Sequence, residues 1–218
     1  MSDACGRLHA LFGRLPVFSF PYQEKDIPIN GIYILFEGGE RAHDGGRVVR
    51  VGTHTGNNQL RSRLKQHFLY ENKDRSIFRK NIGRALLNKS RDPFLEQWEL
   101  DLTTREARRK YEASIDISKQ ASIEMQVTSY IQERFNFVVI AMDGKESRLA
   151  MEARIISTIS LCQECNPSGA WLGNWSPKSK IRESGLWLVN ELYGIALSES
   201  ELLGLESLIS SGEGKIGT

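Results

Sequence analysis

Two short apolar runs, with a basic helix after them, constrain this chain more than anything else in it. The runs are Gly31-Ile32-Tyr33-Ile34-Leu35-Phe36 and Val48-Val49-Arg50-Val51-Gly52-Thr53. Both are rich in Val and Ile and are short, which marks them as strands. Between them, Glu37 to Gly46 holds Gly-Gly twice and reads as a hairpin loop. A polar turn, Gly52 to Asn58, leads into a helix from Gln59 to about Tyr70, with Leu60, Leu64, His67 and Phe68 on one face. On that helix Arg63 and His67 are four residues apart and so share a surface. Glycine at position 52 lets the backbone turn sharply and approach a ligand.

Gly31-Ile32-Tyr33, then Arg50-Val51-Gly52, then the Arg63/His67 pair form an ordered signature that resembles the GIY-YIG nucleases. The first tripeptide matches as it stands. In the second, Arg50 stands where the family usually has Tyr. The match is close from Asn30 to His67 and resumes, more loosely, near Glu152 and Asn166. The resemblance implies an α/β (α+β) domain: a small, mainly antiparallel three-stranded sheet flanked by helices, with a helical insertion and a C-terminal extension.

Size permits that reading: 218 residues suffice for one nuclease-sized domain with elaborations. A hydrophobic content of 40% and a charged content of 26% describe an ordinary globular protein. No apolar run reaches the length of a membrane span, and Arg7, His9 and Arg14 break any signal-peptide pattern, so a cytoplasmic protein is expected. Cys5, Cys162 and Cys165 are too few for a disulfide framework. Cys162 and Cys165 make one C-x-x-C without a second, and the histidines give no recognisable zinc spacing. They are read as small, semi-buried residues. The net charge of +2 conceals an asymmetry: from Arg41 to Arg91 there are 13 Lys or Arg against 3 Asp or Glu. That segment carries +10 and the rest −8, as a phosphate-tracking face would. A solvated helix surface is the plainer alternative.

Along the chain, residues 1–29 form a lead-in. Pro16, Pro21 and Pro28 argue against helix in its second half, and Phe18, Phe20 and Tyr22 suit an edge strand or core packing. The nuclease-like core is expected over 30–182, with a helical insertion at about 71–134. Within the insertion, Ile77 to Asn88 is a helix, Phe94 to Leu102 is ambiguous, and Thr103 to Phe135 is largely helical. Phe135 to Met142 is the third core strand. A helix follows from Glu146 to Leu161, with Leu149, Ala153, Ile156 and Ser160 along one stripe. Residues 183–218 form a C-terminal extension: a short helix within Ser184 to Tyr193, then one capped by Ser198 and Glu201 and running to about Ile209. A disordered tail from Ser210 to Thr218 ends it.

Cutting a phosphodiester needs an activated water, neutralisation of phosphorane charge and help for the leaving oxygen. The resemblance supplies a residue for each role. Tyr33 is the general base; a phenol titrates near 10 unperturbed, so it needs positive charge close by, from Arg50 and Arg63. Arg63 clamps the scissile phosphate with its planar fork, and Arg61 is the second choice. His67 passes a proton or orients the water or Tyr33. Glu152, embedded in Ala150-Met151-Glu152-Ala153, holds Mg²⁺ or Mn²⁺, with Glu146 as competitor. Asn166 supports the geometry, with Asn174 as alternative. Arg61, Lys65, Arg79, Lys80, Lys178 and Lys180 are the expected DNA contacts. Trp171, Trp175 and Trp187, interleaved with Lys178, Lys180 and Arg182, suit either stacking on nucleic acid or the core.

The chain is therefore expected to be a divalent-metal-dependent endonuclease acting on double-stranded DNA, most like the stand-alone type II restriction enzymes of the family. A homodimer would match a palindromic site by symmetry. A repair or branch-specific nuclease is the first alternative. A binding module of the same fold without catalysis is the second, left open by Arg50.

Overall fold

The computed structural model describes residues 4–212. Among these residues four strands form one sheet: β1 (Phe18–Ser19), β2 (Gly31–Ala42), β3 (Gly45–Gly52) and β4 (Phe135–Ala141), in the order β1-β4-β2-β3. All three pairings are antiparallel. The three expected strands are present, and Phe18 adds a two-residue edge strand whose ring stacks on Phe137 at 5.3 Å. The helices are α1 (Ala4–Phe12), α2 (Leu60–Phe68), α3 (Ile77–Lys89), α4 (Leu95–Glu99), α5 (Arg105–Tyr111), α6 (Ile117–Arg134), α7 (Lys145–Ser160), α8 (Ser179–Ser184) and α9 (Glu199–Gly212). Among the described residues no helix is long and apolar enough to cross a membrane.

The hairpin differs from the sequence expectation. Its loop is not Glu37 to Gly46 but only His43 and Asp44, both at positive φ (48° and 60°), as a tight two-residue turn requires. Gly38 and Gly39 lie inside β2, where the register slips against β3 between Phe36 and Arg41. A second irregularity lies at Val49: Leu35 faces Arg50 and Phe36 faces Val48, which leaves Val49 as the extra residue of a bulge. The bulge turns Val49 and Arg50 toward the same face of the sheet.

Burial on both faces explains why β2 and β3 read as almost continuous apolar runs. On one face Tyr33, Leu35 and Phe137 pack with α2, α3, α6, Trp98 and Trp187. On the other, Ile32, Ile34, Val48 and Val138 pack with α1, α7 and α9. Three further expectations change. In α7 the fully covered apolar residues are Ile155, Ile156 and Ile159, one step round from the expected stripe. Past Ser184 the stretch to Tyr193 is not helical; the helix is α8, which ends at Ser184 with Gly185 after it in the left-handed region (φ 68°). The final helix is capped by Ser198 and Glu201 as expected, with Ser198 N–H donating to Glu201 Oε2 at 2.8 Å. It continues to Gly212, so residues 210–212 of the expected tail are helical, while 213–218 lie outside the described residues.

Candidate active site

Strand register sets the site. Tyr33 pairs with Gly52 and Leu35 with Arg50, so the Tyr33 and Arg50 side chains rise on one face, with the Ile34–Val51 pair between them facing the other way. Gly52 is required there: a Cβ would overlap the phenol oxygen and Cζ of Tyr33. Gly31, the first residue of the signature, is needed for a different reason, because a Cβ would strike the Ile140 carbonyl on β4. Helix α2 crosses this face through Leu60, Leu64 and Phe68, which brings His67 over Tyr33. Tyr33 Oη and His67 Nε2 lie 2.8 Å apart. Arg50 Nε donates to the same phenol oxygen at 3.4 Å, while its Nη1 donates to the Trp187 carbonyl. The Arg50 guanidinium lies 5.2 Å from the Phe78 ring centroid.

His67 is held from its other side. Its Nδ1 lies 2.7 Å from Ser76 Oγ, which also caps α3 by accepting from Arg79 N–H at 3.2 Å. The imidazole is fully buried. Burial first, then the positive charges of Arg63, Arg50 and Arg79, hold it well below its ordinary pKa, so His67 is neutral. One ring nitrogen therefore donates and the other accepts, and a proton shift on Ser76 or Tyr33 exchanges their roles.

Glu152 enters from α7. Burial pushes its carboxyl up, Arg50 and the Thr53 N–H oppose that, Glu191 adds to it, and Arg63 lowers it. Arg50 and Arg63 are thus the two cations whose charge is felt by both His67 and Glu152. Glu152 has no ion-pair partner within 4.0 Å among the described residues. A partly buried carboxylate without a cationic partner suits a hard divalent ion that keeps much of its water. Glu146 is exposed on the first turn of the same helix. Beside the site, Thr53, His54, Thr55, Gln59, Ser62, Arg63 and Gln66 line a cleft of about 290 Å³. Arg63 is half-buried there and donates to Gln66 Oε1 at 3.0 Å and to the Arg75 carbonyl at 3.1 Å.

Asn166 does not join this group. Its side chain is exposed and donates to the Gln163 carbonyl at 2.7 Å. Asn174 donates to Ser168 and Gly169 carbonyls in the same turn region. The expected DNA contacts divide by burial. Arg79 is fully buried, and its guanidinium meets Glu124 at 2.7 Å. Lys80 is buried too and donates to the Glu99 carbonyl at 2.9 Å. Neither offers its charge to a phosphate in solution. Arg61 bonds the Ile27 carbonyl at 2.7 Å, and Lys65 pairs with Glu24 at 2.6 Å, so both hold the lead-in against α2. Lys178 and Lys180 are exposed. Trp171 and Trp187 are core residues, both donating to Glu37 Oε2, at 2.8 and 2.9 Å, while Trp175 is exposed.

Sequence reasoning missed Ser76 and the Trp187 carbonyl, which fix His67 and Arg50. Ser76 carried a signal, being a serine directly before an apolar helix. A backbone carbonyl 137 positions from Arg50 carries none. A family model described as a GIY-YIG domain matches residues 7–213. No curated protein and no solved structure matches. A match over almost the whole chain, with both signature glycines pinned by close approach, shows that the chain belongs to the GIY-YIG domain family, whose members are nuclease-type enzymes.

Proposed function

We propose that this protein is a divalent-metal-dependent endonuclease of the site-specific, restriction type. It hydrolyses phosphodiester bonds of double-stranded DNA in the cytoplasm and works as a homodimer. The observation that carries the reading is the Tyr33 oxygen held between His67 Nε2 at 2.8 Å and Arg50 Nε at 3.4 Å. Tyr33, having given its own proton to solvent, acts as the phenolate and takes the proton of the attacking water, becoming the neutral phenol. Arg50 Nε donates to that oxygen, and His67, neutral and anchored by Ser76, donates to it from Nε2 rather than storing the proton, because burial and three guanidiniums disfavour its charged form. Arg63, on the rim of the cleft, binds the scissile phosphate. Glu152 would hold Mg²⁺ or Mn²⁺, which when bound stabilises charge on the leaving oxygen.

One observation favours a second reading, a binding module that does not cut: Tyr33 has no solvent exposure. Cleavage therefore needs Arg50 to move from the phenol toward the phosphate when DNA enters. The test is digestion of plasmid and phage DNA by the purified protein with Mg²⁺, with EDTA and Glu152→Ala as controls. Discrete Mg²⁺-dependent fragments lost in the variant are expected, with a common sequence at their ends. Salt-sensitive binding without cleavage, on linear and branched duplexes alike, would establish the binding module instead. Preference for branched over linear DNA would replace the restriction reading with a repair one.

A further inference from the structure

The opposite face of the sheet gathers a second set of chemically capable side chains that the nuclease site does not use. Helix α1 brings Cys5 and His9, one turn apart; the β2–β3 turn brings His43; the turn after α7 brings Cys162 and Cys165. Cys5 Sγ lies 3.5 Å from Cys165 Sγ and 3.7 Å from His9 Nδ1. Cys165 Sγ lies 3.9 Å from His9 Nε2. One donor atom from each of Cys5, His9, His43 and Cys165 can be chosen so that all four lie within 4.8 Å of one another. Cys5, His9 and Cys165 are buried, and the His43 side chain is only 6% exposed.

The 3.5 Å sulfur–sulfur and 3.9 Å sulfur–Nε2 separations are close to those of a coordination shell, and the widest, up to 4.8 Å, would close by about 1 Å on binding. Zinc–sulfur bonds of about 2.3 Å and zinc–nitrogen bonds of about 2.0–2.1 Å, arranged tetrahedrally, put donor atoms roughly 3.3–3.8 Å apart. The histidines are also oriented for it. His9 Nδ1 lies 3.0 Å from the Cys5 carbonyl, and His43 Nδ1 lies 3.5 Å from Glu164 Oε2. A carbonyl or carboxylate on Nδ1 is the usual outer partner of a metal-bound imidazole and leaves Nε2 as the ligand. His43 Nε2 is 3.2 Å from Cys162 Sγ, and His9 Nε2 is 3.9 Å from Cys165 Sγ and accepts from Val48 N–H at 3.4 Å, a bond that a metal on Nε2 would replace. Two thiolates against Zn²⁺ give a neutral centre, the charge balance a buried position demands.

We propose that Cys5, His9, His43 and Cys165 form a tetrahedral structural zinc site that fastens α1 and the hairpin tip to the turn after α7. Binding displaces one proton from each of the two thiols and forms two Zn–S and two Zn–N bonds, with no change of oxidation state. Four protein ligands leave no open position, so the site stabilises the fold and does no chemistry. Cys162, half-exposed beside His43, stays outside the shell.

The test uses the full chain, expressed without a metal-affinity tag. Elemental analysis of protein dialysed after zinc loading should give about one zinc per chain. Cobalt substituted for zinc should show visible d–d bands and a near-ultraviolet thiolate-to-cobalt band. Cys165→Ser and the milder His43→Asn should each lose the metal; Cys162→Ser and Glu152→Ala should keep it. A strong chelator should lower the melting temperature of the wild type and leave that of His43→Asn unchanged. Folded wild type that binds neither zinc nor cobalt overturns the proposal. So does metal that follows Glu152 rather than the cysteines and histidines. Loss of metal from Cys162→Ser, with retention in His43→Asn, overturns the ligand set.

Discussion

At the scale of single residues, the site is a contest between burial and charge. His67 and Glu152 are both taken from water, and burial pushes each toward its neutral form. For His67 the surrounding guanidiniums reinforce that push; for Glu152 they oppose it. A carboxylate that must be ionised to hold a cation makes activity fall as pH falls through its pKa. Because that pKa is raised, the acid limb of the rate profile should lie above the ordinary carboxylate range. Glu191, exposed and nearby, is one of the charges raising it. Glu191→Gln removes a like charge and so should move the acid limb of kcat/KM to lower pH, while Glu106→Gln on exposed α5 should leave it in place. An unmoved limb in Glu191→Gln, or a shift to higher pH, would remove Glu152 from the titration that governs activity. Arg50 is the residue at which the sequence was hardest to interpret. Its type departs from the family's usual tyrosine, yet its position next to Tyr33 followed from strand pairing alone.

At the scale of elements, Ser76 joins two helices through one hydroxyl: it caps α3 and meets His67 Nδ1 on α2. Ser76→Ala loses a cap worth about 1 kcal/mol and strands a buried ring nitrogen at a further 1–3 kcal/mol or so. A fall of about 2–4 kcal/mol in urea-unfolding stability is expected. It should come with a lower kcat and little change in DNA affinity, and Ser76→Thr should restore most of both losses. Wild-type stability in Ser76→Ala would show that the contact holds nothing. The elements legible in the sequence were those whose partners are near in the chain: β2, β3, α2 and the Ser198/Glu201 cap. Illegible ones have distant partners. Glu37 and Glu40 sat in a stretch that looked like loop, but both are buried. Glu37 accepts from Trp171, Trp187 and Tyr130; Glu40 pairs with Arg47 at 2.6 Å and accepts from Ser168. Those donors lie up to 150 positions away, and two acids beside Gly-Gly give no local sign of them. The Cys/His cluster escaped for the same reason, because His43 comes from the hairpin and neither Cys-x₃-His nor Cys-x₂-Cys is diagnostic by itself.

At the scale of the whole molecule, nearly half of the cations in the basic segment from Arg41 to Arg91 prove to be an internal scaffold. Of its 13 cations, Arg47, Arg50, Lys73, Arg79, Lys80 and Arg84 are buried. Glu40, Asp74, Glu99 and Glu124 pair with five of these six, Asp74 being shared by Lys73 and Lys80, and three of those four acids lie outside the segment. The charge asymmetry along the sequence is therefore partly offset in three dimensions, chiefly by pairing α3 with α4 and α6. Arg79 shows this most fully: its guanidinium bonds the Glu124 carboxylate and carbonyl, Thr128 Oγ1 at 2.8 Å and the His67 carbonyl at 3.1 Å. Glu124→Ala leaves that charge buried and unpaired, a loss of about 3–5 kcal/mol. Arg79→Gln should cost a similar amount by stranding Glu124. Under conditions where it remains folded by circular dichroism, it should bind DNA with the wild-type salt dependence. Arg63→Gln, on the rim of the cleft, should do the reverse: stability little changed, and the slope of log affinity against log salt shallower by about 0.9, one phosphate contact on duplex DNA. A shallower slope in Arg79→Gln at unchanged stability would mean that Arg79 leaves Glu124 to meet the phosphate, and that the buried pair is a docking switch rather than a brace.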